Sequence, residues 1–85
     1  MAANERREIL GTEIRRARQA KGLSQERLGF QCGLSRNYLS MVELGQSSPT
    51  FEALERICDA LDLSVSELVS RYETAIATAP PKRKR

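Results

Sequence analysis

The chain is predicted to be all-α, a compact bundle of five short helices, from three features of its sequence. Apolar residues recur at three- and four-residue intervals in five separate stretches. Ser or Thr stands just ahead of four of these (Ser24, Ser35, Thr50 and Ser64), where it can accept from the free N–H groups of an opening helical turn. No segment alternates apolar and polar residues with the period of two that a half-buried strand requires.

The first helix is expected from about Ile9 to Lys21, with Leu10, Ile14 and Ala17 on one face and Gly22-Leu23 as its stop. Residues 1–8 form a polar N-terminal segment that either frays or extends it. Ser24 caps a second helix, about Gln25–Gln31, and Leu23 can staple onto Leu28 across that cap. Gly33 stands where the chain must reverse, and glycine adopts positive φ there without Cβ strain. Ser35 caps a third helix, about Arg36–Leu44, and Gly45 to Pro49 is a loop. Thr50 caps a fourth, whose stripe is Leu54, Ile57, Cys58 and Leu61. Ser64 and Glu67 make a capping box for a fifth, whose stripe is Val65, Leu68, Val69 and Tyr72, extended one turn by Ile76. Pro80-Pro81 ends any helix, and Lys82–Arg85 is a solvated basic run. The expected organisation is the 1–8 segment, one domain over 9–75 and a basic flexible tail over 76–85.

Eighty-five residues is close to the lower limit for folding on a single core without a metal or disulfide. With 5% aromatic residues, that core must be built from Leu, Ile, Val and Ala. No stretch approaches the ~20 apolar residues of a membrane span, and no signal-peptide core is present, so a cytoplasmic protein is expected. The chain has no histidine, which removes the commonest zinc ligand and the commonest general base. Cys32 and Cys58 both fall on apolar helix positions and read as small buried hydrophobes. No catalytic site, metal site, cofactor or small-molecule ligand is indicated.

The net charge of +3 conceals a segregation: residues 1–36 carry +4, residues 37–79 carry −5 and the last six carry +4. A basic front beside an acidic back suits a chain that meets phosphates in one orientation. The second and third helices give that front a purpose. Leu28, Cys32, Leu34, Leu39 and Val42 point inward, and Gly29 is small where two helix axes must approach. Arg36, Asn37, Ser40 and Met41 are left on the outer face of the third helix. An exposed helix face with a fork-shaped cation and an amide is what reading base edges in a DNA major groove requires. Met41 could instead merely cover the helix flank. Arg18 and Glu43 border the buried sides of their helices, where an unpaired charge is costly, so the two are expected to meet.

The segment QERLGFQCGLSRNYLSMVEL, residues 25–44, resembles the helix-turn-helix of the lambda repressor and Cro superfamily, the Xre-type regulators. The resemblance runs from IRRARQAKGLSQERLG to ICDALDLSVSEL, roughly residues 10–72, and is closest in character to the controller proteins of restriction–modification systems. It implies a transcriptional regulator whose partner is double-stranded DNA. Gln25, Ser35, Tyr38, Gln46, Ser47 and Arg18 would then touch phosphates, and a salt bridge would join Arg18 to Glu43. For Tyr38 a wholly structural role stands equally. Relatives usually carry Gly where this chain has Asp62, so that helix end is expected to be strained or shifted.

A homodimer is expected, because one recognition helix reads too few base pairs for a useful operator. Its surface is assigned to Val65, Leu68, Tyr72 and Ile76, on a fifth-helix stripe longer than a three-turn fourth helix needs. The alternative is an antitoxin-like protein-interaction module with a DNA-binding head. Against it, only thirteen residues follow Tyr72 to wrap a partner. An enzyme is the weakest option.

Overall fold

The computed structural model describes residues 1–79 as α1 (Ala3–Ala20), α2 (Gln25–Cys32), α3 (Arg36–Glu43), α4 (Phe51–Ala60) and α5 (Val65–Thr78), with no strand among them. Four of the five helices start on the hydroxyls the sequence offers. Ser24, Ser35, Thr50 and Ser64 each accept from a backbone N–H three residues on, all at 3.0 Å. Each such cap is worth about 1 kcal/mol. The Glu67 carboxylate turns to Arg71 at 2.9 Å instead of back to its own cap, so only half of the expected capping box forms.

At two boundaries the structure takes the longer of the readings the sequence leaves open. Helix α1 starts at Ala3, so most of the 1–8 segment is helical and docked: Arg7 Nε donates to the Gly45 carbonyl at 3.3 Å. Helix α5 continues through Ile76 to Thr78, following the extra turn of its stripe beyond residue 75, where the domain was expected to end. Its C-terminal half lies on α1, which supplies a support that no local pattern reveals. The basic run at Lys82–Arg85, expected to be a flexible tail, lies outside the described residues.

The core takes one wholly buried side chain from every helix: Ile14, Leu28, Leu39, Ile57 and Leu68. Burying a Leu or Ile of this kind contributes roughly 1.5–3 kcal/mol. Around that centre the helices close a ring, with α3 and α5 on α1, α2 on α3 and α4, and α4 on α5. Helix α5 packs more extensively along α1 than along α4, the helix it was expected to cover. Leu68 is thus used inside the protomer and is withdrawn from the expected dimer surface. Val65 also packs against the core, while Tyr72 and Ile76 remain half-buried.

Closest approach occurs where α1 crosses the end of α3. A Cβ on Gly11 would stand 2.3 Å from the Val42 carbonyl oxygen and 2.5 Å from that of Glu43, so only glycine fits. Two turns along α1, Arg18 grips the same end of α3. Its Nε and Nη2 meet the two Glu43 carboxylate oxygens at 2.6 and 3.0 Å, and its Nη1 donates to the Leu23 carbonyl at 2.7 Å. Both residues are buried, and the fork-to-fork geometry supplies direction as well as energy. At the far end, Asp62 does take the left-handed conformation expected of that position, with φ +54°, and its carboxylate pairs with the Lys21 ammonium.

Gly11→Ala is expected to destabilise the domain by about 1–3 kcal/mol in urea unfolding. An unchanged midpoint would mean that α1 and α3 can separate freely. Replacing Arg18 or Glu43 alone by Met should cost about 3–5 kcal/mol, because the partner is left charged and buried. The double variant should cost less than the two losses added together. Additive losses in that double-mutant cycle would show that the two side chains are uncoupled.

Candidate nucleic-acid interface

Helix α3 presents its outer face because its inner face is fully engaged. Leu39 and Val42 lie in the core, and Glu43 is held by Arg18. The turn ahead of it is set by Gly33 at φ +74°, followed by the Ser35 cap. Arg36 and Asn37 therefore project from the opening turn and are exposed, whereas Ser40 and Met41, one turn on, are half-buried. The Asn37 amide lies 3.8 Å from the Met41 sulfur, a weak contact along the helix surface. The four residues expected to touch bases thus share one face of one helix, bound to a buried anchor.

The residues expected at phosphates surround that face unequally. Gln25, in the first turn of α2, donates from Nε2 to Glu43 Oε1 at 3.0 Å, which leaves its second amide N–H to point elsewhere. Its position is tied through Glu43 to Arg18 and the Leu23 carbonyl, so the start of α2, the end of α3 and α1 meet on one buried carboxylate. Ser35 is exposed, and its hydroxyl accepts from the Tyr38 N–H. Tyr38 is half-buried against the core. Beyond α3, the Gln46 N–H donates to the Met41 carbonyl at 2.9 Å, with its side chain exposed and Ser47 half-buried beside it.

Arg18 is placed differently from the rest of this set. Three of its five guanidinium N–H groups are engaged by Glu43 and the Leu23 carbonyl and the residue is only 8% exposed, so it forms the expected salt bridge and offers little surface to a phosphate. Cys32 and Cys58 are packed in the core as expected, and burial pushes both thiols above their ordinary range, which keeps them protonated and unreactive near neutral pH.

Two neighbours of the site escape a reading of the sequence. Arg7, assigned to a polar segment, holds the loop after α3 through the Gly45 carbonyl. Arg56, assigned to the acidic half, shares a surface concavity with Ser35 and Tyr38 beside the Gly33 turn. Neither carries a local signal, because both contacts join residues distant in sequence.

Comparison with known proteins agrees with this geometry. The HTH_3 helix-turn-helix family matches residues 14–68. The HTH-type transcriptional regulator y4dJ of Sinorhizobium fredii is 39% identical over 64 residues, covering 75% of this chain and 83% of that protein. The crystal structure of the clp gene regulator ClgR from Corynebacterium glutamicum superposes with a TM-score of 0.81 at 32% identity, over 85% of this chain and 77% of that one. The restriction–modification controller protein C.AhdI from Aeromonas hydrophila gives a TM-score of 0.72 at 40% identity, over 73% of this chain and 94% of that one. With the motif, its buried anchor, all of α4 and the last turns of α1 inside the matched span, the chain belongs to the HTH_3 helix-turn-helix family, of the Xre and Cro/C1 type.

Proposed function

We propose that this protein is a sequence-specific DNA-binding transcriptional regulator that reads a major groove with α3 and acts as a homodimer on an inverted repeat. The observation that carries the proposal is the exposed face of α3. Arg36 and Asn37 stand on its opening turn, and the backbone beneath them is locked by the Arg18–Glu43 bridge. Arg can bond guanine O6 and N7 together, and Asn can do the same at adenine N6 and N7. Ser40 and Met41 lie one turn deeper, within reach of a base edge or thymine methyl. Gln25, Ser35, Tyr38, Gln46 and Ser47 would hold the flanking phosphates, setting orientation while carrying little sequence information. The likeness to proteins that are themselves named regulators supports the same reading.

The dimer part of the proposal rests on Tyr72 and Ile76. Both are apolar or half-apolar side chains on α5 that the protomer leaves partly open, and two such ends can cover each other about a two-fold axis. Pairing there would place the recognition helices about 34 Å apart, one turn of DNA.

Selection from a random DNA pool tests the whole proposal and should enrich an inverted repeat with half-sites one helical turn apart. Enrichment of a single unrepeated site would remove the dimer; no enrichment would remove sequence-specific binding. On the selected operator, Arg36→Ala and Asn37→Ala should each cost about 1–3 kcal/mol and relax the preference at one base position per half-site. Gln25→Ala should weaken operator and scrambled DNA alike. Equal losses on both DNAs for the Arg36 and Asn37 variants would show that these residues do not read bases. Ile76→Glu should yield a folded monomer by sedimentation, with much weaker operator binding; a variant that stays dimeric at full affinity removes Ile76 from the interface.

A further inference from the structure

The second turn of α4 brings a cation to the recognition motif from the half of the chain that is otherwise acidic. Arg56 lies over the turn glycine, with its Nη1 only 3.6 Å from where a Cβ on Gly33 would be. It lines a concavity of about 410 Å³ with Ser35, Tyr38, Thr50 and Glu52, in which Arg56 is the one cation and Glu52 the one anion. The Ser35 and Thr50 hydroxyls each accept from a backbone N–H, so each keeps its own proton to donate outward. Hydroxyl donors around a guanidinium, open to solvent, form a surface suited to an anion with several acceptor oxygens.

The guanidinium is held in place but not consumed. Its Nη2 meets Glu52 at 3.3 Å, and the two side chains are 51% and 77% exposed, a surface pair of small net worth. Its Nε and Nη1 have no other partner among the described residues.

We infer that Arg56 is a backbone-phosphate contact, extending the DNA interface from the helix-turn-helix onto α4, and that Glu52 restrains it in the free protein. The occupant is a phosphodiester next to those proposed for Ser35 and Tyr38, and the inference rests on the DNA-binding reading above. On binding, Arg56 exchanges a long, exposed carboxylate contact for a phosphate, while Glu52 is left facing like charge. Glu52 thereby opposes binding, and the pair sets affinity without contributing sequence preference.

Because a phosphate contact is independent of sequence, the test uses a labelled mixed-sequence duplex two helical turns long, titrated by fluorescence anisotropy at several salt concentrations. Arg56→Gln keeps the hydrocarbon stem, so its thermal midpoint should match the wild type. Its affinity should fall about ten-fold at low salt, and the slope of log affinity against log salt should shrink by about 1 per protomer. Glu52→Gln should tighten binding in the wild-type background and far less when Arg56→Gln is also present. Arg71→Ala is the matched control: Arg71 is also a half-exposed cation paired with a Glu four residues earlier, but it borders the α1–α5 groove away from α3. It should leave the affinity unchanged. Equal losses for the Arg71 and Arg56 variants would reduce the effect to bulk charge and overturn the assignment. So would an Arg56→Gln protein with wild-type affinity and salt slope, or a Glu52→Gln gain that is equal in both backgrounds. A wild-type protein that binds no duplex at all would instead overturn the DNA-binding reading, and this inference with it.

Discussion

Glu43 ends α3 with a carboxylate that is almost wholly shielded from water, and the domain is arranged around satisfying it. Two of its hydrogen bonds come from the Arg18 fork on α1 and a third from the Gln25 amide on α2. A charge buried this far is tolerable only with complete pairing. The relative placement of three helices is therefore set to within hydrogen-bond tolerance at one point. Gly11 makes that point reachable, since any side chain there would collide with the Val42 and Glu43 carbonyls and hold α1 away. A small residue and a charged pair, two turns apart on α1, act together to fix how the end of α3 sits against the body.

The apolar core complements this lock rather than duplicating it. Its five wholly buried anchors, one per helix, are all Leu or Ile, while Phe30 and Phe51 are 83% and 64% exposed. With only Leu and Ile at the centre, the helices can lie close together, and none can leave without opening the common core. Such a core holds helices together but is tolerant of small rotations, because Leu and Ile side chains repack at modest cost. A bidentate bridge is not tolerant in that way. The core supplies stability, and the bridge fixes the orientation in which α3 presents its outer face.

Charge along the chain divides less cleanly in space than in sequence. Arg7 and Arg56, from the opening segment and the acidic half, both come to the edges of α3: one through the Gly45 carbonyl, the other over the Gly33 turn. Lys21, counted in the basic front, is engaged by Asp62 at the opposite end. Cations beside α3 thus come from both halves of the described chain, and a tally by segment understates what α4 contributes. Helix α5 shows the same mixing in apolar terms. Of the four side chains assigned to the dimer, Leu68 is wholly buried and the half-buried Val65 packs against the core, which leaves Tyr72 and Ile76 partly open outside that cluster.

Features whose causes lie within a few residues of one another are legible in the amino-acid order alone. The four hydroxyl caps, the left-handed turn at Gly33, the helical periodicity and the outer face of α3 are all of this local kind. Arg18 and Glu43 are legible too, although distant, because a charge at the edge of an apolar stripe demands a partner. Other long-range contacts impose no such demand. An exposed-looking Arg56 is content in water, a glycine inside a helix pattern has several explanations, and a stripe on α5 fits α1 as readily as α4. Which faces meet depends on how five helices close around one core, and that closure is a property of the folded domain as a whole. It makes Gly11 a contact point, lets α1 and α5 support each other along their outer turns, and turns Arg18 inward onto Glu43 and the Leu23 carbonyl.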